Sequence, residues 1–252
     1  LYERYGLSLS DERWSELTKT LNWERTTVVS VQNRQIEHLV PLLQTLEAEI
    51  IDNARNELPP LHRYLTDKGL NLDDRQAVVD VGYGGSIQGY LNRLVPQKVH
   101  GYYLMTDERS ATVAEMHNVI LRGCFFENAG QSSNAPIMYR HSFQLEKLLS
   151  ADDPQIIHYE IDAAGNVKAH YRELTFAEIE CANMRKHLQE GVMEYAKDAR
   201  QVCKTILAGF QPSCWTAQLL IEAFITQQSK SEAELLSKFV LDDYYYGRGL
   251  VY

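Results

Sequence analysis

"VVDVGYGGSIQGYL", Val78 to Leu91, decides the fold. An apolar β-rich run ends on Asp80, three glycines and a serine follow within six residues, and a helical pattern then begins. Strand, glycine turn and helix in that order open a βαβ unit. Gly82, Gly84 and Gly85 let the backbone turn tightly and come close to a ligand. The amides of Ser86 and Ile87 open a helix whose positive end favours an anion. Asp80 falls at the carboxyl end of the strand, the edge at which open α/β sheets bind ligands. Two readings stay open: a ligand loop, or a turn that only redirects the chain with Ser86 as a helix cap.

The flanking sequence supplies the rest of a parallel sheet. "AVVDVGY" reads as a strand covered on both faces, "SIQGYLNRLV" as a helix ending before Pro96, and "KVHGYYLMT" as the second strand. This βαβ unit spans roughly thirty residues and is expected to cross right-handed. "NVILRGCFFEN" is a third strand after the helical "ERSATVAEMH", and "ENAGQSSNAP" is a polar loop beyond it. "HSFQLEKLLS" is helical, and "QIIHYEIDAAGNVKAHYREL" is a hairpin turning at Ala164, Gly165 and Asn166.

Upstream, Ser10 caps a short helix carrying Trp14, Leu17 and Leu21. An amphipathic helix follows from Gln35 to about Asn56, stopped by Pro59-Pro60, with a further turn or two closing at Gly69. From Thr175 to about Lys238 the pattern is almost wholly helical, with breaks at "AGFQPS" and "QQSKS". The expected architecture is α/β: a Rossmann-like parallel sheet with a helical N-terminal segment and a helical C-terminal bundle. Its expected divisions are 1–70, 71–174 and 175–252.

The 252 residues carry a formal charge of −9, which argues against a nucleic-acid partner. Apolar residues at 44 % and charged residues at 23 % are those of a folded globular chain. No run reaches the length needed to cross a bilayer, and no signal peptide is visible. The expected location is cytoplasmic, and a chain starting at Leu1 reads as a piece of something longer. Cys124, Cys181, Cys203 and Cys214 form no C-x-x-C pair, so buried thiols are expected.

Several residues are candidates for chemistry. Asp80 is a hydroxyl holder or base, and the loop from Gly82, Tyr83, Gly84 and Gly85 through Ser86 to Gln88 is a phosphate cradle. Glu127 and Asn128 follow the third strand, where α/β sites place catalytic groups, and loop capping is the competing role. Arg140 and His141 face a phosphate or sugar at the sheet edge, or else start a helix. His158 and His170 face each other across the hairpin, but the sequence names no third ligand, and no metal site is expected. Tyr244, Tyr245 and Tyr246, with Gly247 and Arg248, stack on a sugar or dock the tail. Serine-elbow, zincin and P-loop motifs do not occur.

Asp80-x-Gly82-x-Gly84 resembles the cofactor loop of class I S-adenosylmethionine methyltransferases. That family places an acid at the end of the next strand to hold the ribose. Here Tyr102 or Tyr103 takes that place, and Asp107 comes several residues late.

A wider resemblance rests on "VVDVGYGGSIQGYL", "VHGYYL", "SFQLEKLLSADDPQIIHYE" and "SEAELLSKFVLDDYYYGR". These segments are similar to the carboxy-terminal half of large bacterial proteins described as hydrolases of the haloacid dehalogenase (HAD) superfamily, from surface-polysaccharide gene clusters. The resemblance implies a place in capsule or O-antigen assembly, beside or fused to a glycosyltransferase or an upstream catalytic domain, with a phosphorylated or nucleotide-linked sugar as ligand. HAD chemistry needs an Asp-x-Asp pair, and the sequence contains none. Such a site is expected upstream of Leu1. A methyltransferase and a non-catalytic scaffold module remain the alternatives, and the cofactor is unknown.

Overall fold

The computed structural model describes residues 5–27, 37–70, 75–130, 135–208, 213–242 and 250–251. Asp73-Asp74, the middle of the polar loop after the third strand, most of the "AGFQPS" break and the tyrosines of the tail lie outside the described residues. The fold is mixed α/β with a three-stranded parallel sheet and helices towards both ends. The chain forms two compact units.

One unit gathers residues 1–68, 153–173 and 242–251. Its α1 (Asp11–Leu21) starts where Ser10 Oγ accepts the Arg13 amide at 3.2 Å and ends at left-handed Asn22. α2 (Val40–Thr45) and α3 (Glu47–Asp67) replace the single helix expected from Gln35. The break falls at Leu46, which is fully buried with Leu7 and Leu17 under Trp14, Leu42 and Ile50. Pro59-Pro60 does not stop α3, contrary to the sequence reading. Each proline removes one helical N–H, yet Pro60 and Leu65 are both buried, so packing of the inward face outweighs the two missing bonds.

β4 (Ile156–Ile161) and β5 (Val167–Tyr171) pair antiparallel in the same unit. Asp162 makes the turn: its Oδ1 accepts the amides of Ala164 and Asn166, and Gly165 takes φ 85°. Tyr159 stacks obliquely on Tyr64 of α3 at 4.8 Å, and its amide donates to Glu57. The hairpin thus belongs with the N-terminal helices, whereas the sequence divisions put it in the α/β core.

The other unit holds residues 69–152 and 174–241. β1 (Gln76–Asp80), β2 (Val99–Asp107) and β3 (Leu121–Ala129) form a parallel sheet in that order. α4 (Ser86–Leu94) and α5 (Arg109–His117) make the crossovers. They pack on each other, and a side chain at Gly89 would meet Val113 and His117 at 3.5 and 3.6 Å. Successive crossovers in one lateral direction put both helices on one face.

The opposite face is open at β1: Val79 is 88 % exposed, beside its register partner Tyr102. This corrects the expectation of a strand covered on both faces. Towards the strand ends that openness gives way to a core of Met105, Ala129, Met138, Tyr139 and Leu145, with Phe125, Phe126 and Ile221 against it.

α6 (Ile137–Arg140) and α7 (Ser142–Leu149) follow, then α8 (Phe176–Thr205), α9 (Cys214–Thr226) and α10 (Lys230–Leu236). Capping boxes at Thr175/Glu178 and Ser229/Glu232 begin α8 and α10. Arg185 of α8 is buried and donates to the carbonyls of Lys147, Ala151 and Val240. Short strands β6 (Leu241–Asp242) and β7 (Leu250–Val251) also pair. Among the described residues no helix is long and apolar enough to cross a membrane.

Candidate functional site

The site forms where β1 and β2 end. Asp80 Oδ1 accepts the Gly82 amide at 2.8 Å, closing a side-chain-capped turn that lifts the chain off the strand. Gly85 sits at φ 73°, where a side chain would strike Leu121 Cδ2 at 2.3 Å, so only glycine fits. Gly85, not Ser86, occupies the cap of α4, and it brings no side-chain acceptor to the first-turn amides. Those amides keep their capacity to bind an external acceptor. Tyr83 ties the loop down: its carbonyl accepts the Asp107 amide, and its hydroxyl accepts from Ser142 Oγ at 3.3 Å.

Asp107 is the last residue of β2, because that strand runs further than the sequence suggested. Its carboxylate therefore does stand at the strand end, but it is only 1 % exposed. Oδ1 accepts the Arg109 amide at 2.9 Å, and Oδ2 accepts Arg109 Nε at 2.9 Å, Arg109 Nη2 at 2.6 Å and the Tyr139 hydroxyl at 3.2 Å. A carboxylate so saturated positions other groups and has little left for a ligand. What it positions is Arg109, whose side chain is 47 % exposed. Its guanidinium lies over the Tyr83 ring at 5.8 Å and would be 2.9 Å from a side chain at Gly84. Asp107 beside it raises the guanidinium pKa further, so Arg109 stays cationic.

Gln88 is fully buried and also takes a structural part in place of the expected ligand contact. Its Nε2 donates to the Val99 carbonyl at 2.6 Å, and its Oε1 accepts from Tyr103 at 3.0 Å. Gly101 leaves room for it, since a side chain there would meet Gln88 Oε1 at 2.0 Å. Burial and the charge of Asp80 push the Tyr103 hydroxyl up to about 12, which keeps it a donor.

Glu127 lies within β3, not past it, and pairs with Arg122 on an exposed surface at 3.3 Å. The β2–β3 register slips twice near there, and the left-handed Asn128 donates its amide to Thr106 Oγ1. Such bulges recur beside functional sites, where they re-aim the chain. Arg140 is exposed at the end of α6, and His141 is half-buried between α6 and α7. It is their neighbours Tyr139 and Ser142 that reach the crevice.

Arg109, Tyr139 and Ser142 are the residues that sequence reasoning missed. A cation two residues after a strand-end acid, opening a helix, was the available signal for Arg109.

Fold and site together define a Rossmann-like α/β protein with a glycine loop and a carboxylate-anchored arginine at the strand ends. No family model matches the chain, and a search of curated proteins found no similar sequence.

Proposed function

We propose that the crevice binds a phosphorylated or nucleotide-linked sugar, as part of a bacterial surface-polysaccharide assembly protein of the HAD-associated kind. The carrying observation is the guanidinium of Arg109, locked by buried Asp107 directly against the backbone turn at Gly84. Backbone amides at the start of α4 and a fixed cation on the same side match a phosphate in both charge and donor geometry. The resemblance of four segments supports the sugar and the cytoplasmic setting. The sequence holds no Asp-x-Asp, so binding, rather than HAD hydrolysis, is the part this reading gives the chain.

A titration of UDP-glucose, and of inorganic phosphate beside it, followed by thermal unfolding, tests this. The midpoint rises with nucleotide sugar, and it rises less in Arg109→Gln, which keeps donors for Asp107 but loses the charge. A midpoint unmoved at millimolar ligand overturns the proposal.

A second reading keeps one observation in its favour. Asp107 stands at the end of β2, where the methyltransferase resemblance implies the ribose acid. Calorimetry with S-adenosylhomocysteine separates the two, and micromolar binding there reverses their order.

A further inference from the structure

The β4–β5 hairpin carries a second cluster. His158 and His170 are register partners, and Glu160 lies two residues along β4 on the same side, since strand side chains alternate. The two imidazoles stack at 4.2 Å with planes 8° apart. Glu160 Oε1 is 2.7 Å from His170 Nε2. That nitrogen is shielded from solvent. Ligand atoms from all three residues fall within 4.8 Å of one another. Tyr159, on the reverse side, anchors the hairpin to α3, so the cluster sits on a fixed strand pair.

Imidazole and carboxylate atoms gathered this closely on one side of the strand pair lie within the reach of one cation. We propose that His158, Glu160 and His170 form a site for a divalent first-row transition cation, with zinc as its representative. Two imidazole nitrogens and one carboxylate suit such ions and disfavour magnesium and calcium, which want oxygen. Three protein ligands leave at least one coordination position to water or to an external anion, as in open zinc sites. The sequence pairs the two histidines but names no third ligand, and Glu160 is that ligand in the folded hairpin. Lys168, in register with Glu160, has its ammonium 3.8 Å from the same carboxylate oxygen and competes with the cation.

Zinc chloride titration of the untagged chain tests the proposal, with cobalt(II) absorption reporting the geometry. One equivalent is expected to bind with micromolar affinity or better. Glu160→Gln and His170→Asn should each weaken it by at least ~100-fold, since even outer partners of a metal site are worth about 10- to 100-fold. Lys168→Ala should tighten it roughly 2- to 5-fold, the worth of one exposed like charge. Excess magnesium should not displace the ion. Circular dichroism confirms that each variant is folded, and Glu160→Gln, at a half-exposed position, supplies the reading if His170→Asn is not. Binding equal in wild type and Glu160→Gln, or absent at high-micromolar zinc, overturns the site.

Discussion

The strand-end crevice and the hairpin cluster use backbone and side chains in opposite ways. In the crevice the outward donors are mainly amides at a glycine turn. The side chains that look chemical, Asp107 and Gln88, point inward and hold the frame. At the hairpin the backbone is consumed by the strand ladder, and the outward chemistry is all side chain. A buried, saturated carboxylate is thus a positioning device, whereas the half-exposed Glu160 beside His170 is the one we propose as a ligand.

The largest break in this comparison is expected from Gly85→Val. A β-branched side chain at φ 73° and 2.3 Å from Leu121 should cost about 3–5 kcal/mol by urea denaturation and abolish loop binding. Gln88→Ala comes next. It leaves the Tyr103 hydroxyl without its buried acceptor and opens a cavity, while the Val99 carbonyl keeps the Asn92 side-chain amide, for about 2–4 kcal/mol. A variant of normal stability that loses only ligand affinity would instead make Gln88 a ligand contact.

Asp107→Asn keeps the volume but releases Arg109, and it should cost about 1–3 kcal/mol together with roughly tenfold in nucleotide-sugar affinity. The smallest effect concerns acid. His170 beside Glu160, and backbone amides around Asp162, hold both carboxyls below their usual range. Their contribution to the hairpin is full above the ordinary carboxylate range and is lost as pH falls through the lowered folded values. Exchange of hairpin amides should therefore quicken only on that acidic side, and protection unchanged there would remove these carboxyls from the turn.

Local punctuation made part of this legible. The apolar run, the glycines and the following helical period define β1, the loop and α4 with no knowledge of what packs on them. Positions whose role depends on distant partners were not legible. Tyr139 is 32 residues from the Asp107 that it caps. Gln88 reads as the end of the ligand loop until Gly101 is seen to make room for it in the interior. The proline pair reads as a helix end because the missing N–H groups are local, while the burial that carries α3 past them is not. At the hairpin the sequence paired the histidines correctly, and the third ligand followed once the alternation from His158 to Glu160 was fixed by register.

On the proposed function, Arg109 and the turn at Gly84 act as one anion site. Calorimetric titration of UDP-glucose into wild type and Gly84→Ala tests it most directly, because the added methyl displaces the guanidinium tip without demanding a left-handed backbone. Wild type is expected to show one saturable site, weakened roughly tenfold in a Gly84→Ala variant that circular dichroism shows to be folded, about the worth of one displaced charge-assisted bond. Equal affinity in the two proteins, or no binding heat at millimolar ligand, would contradict it.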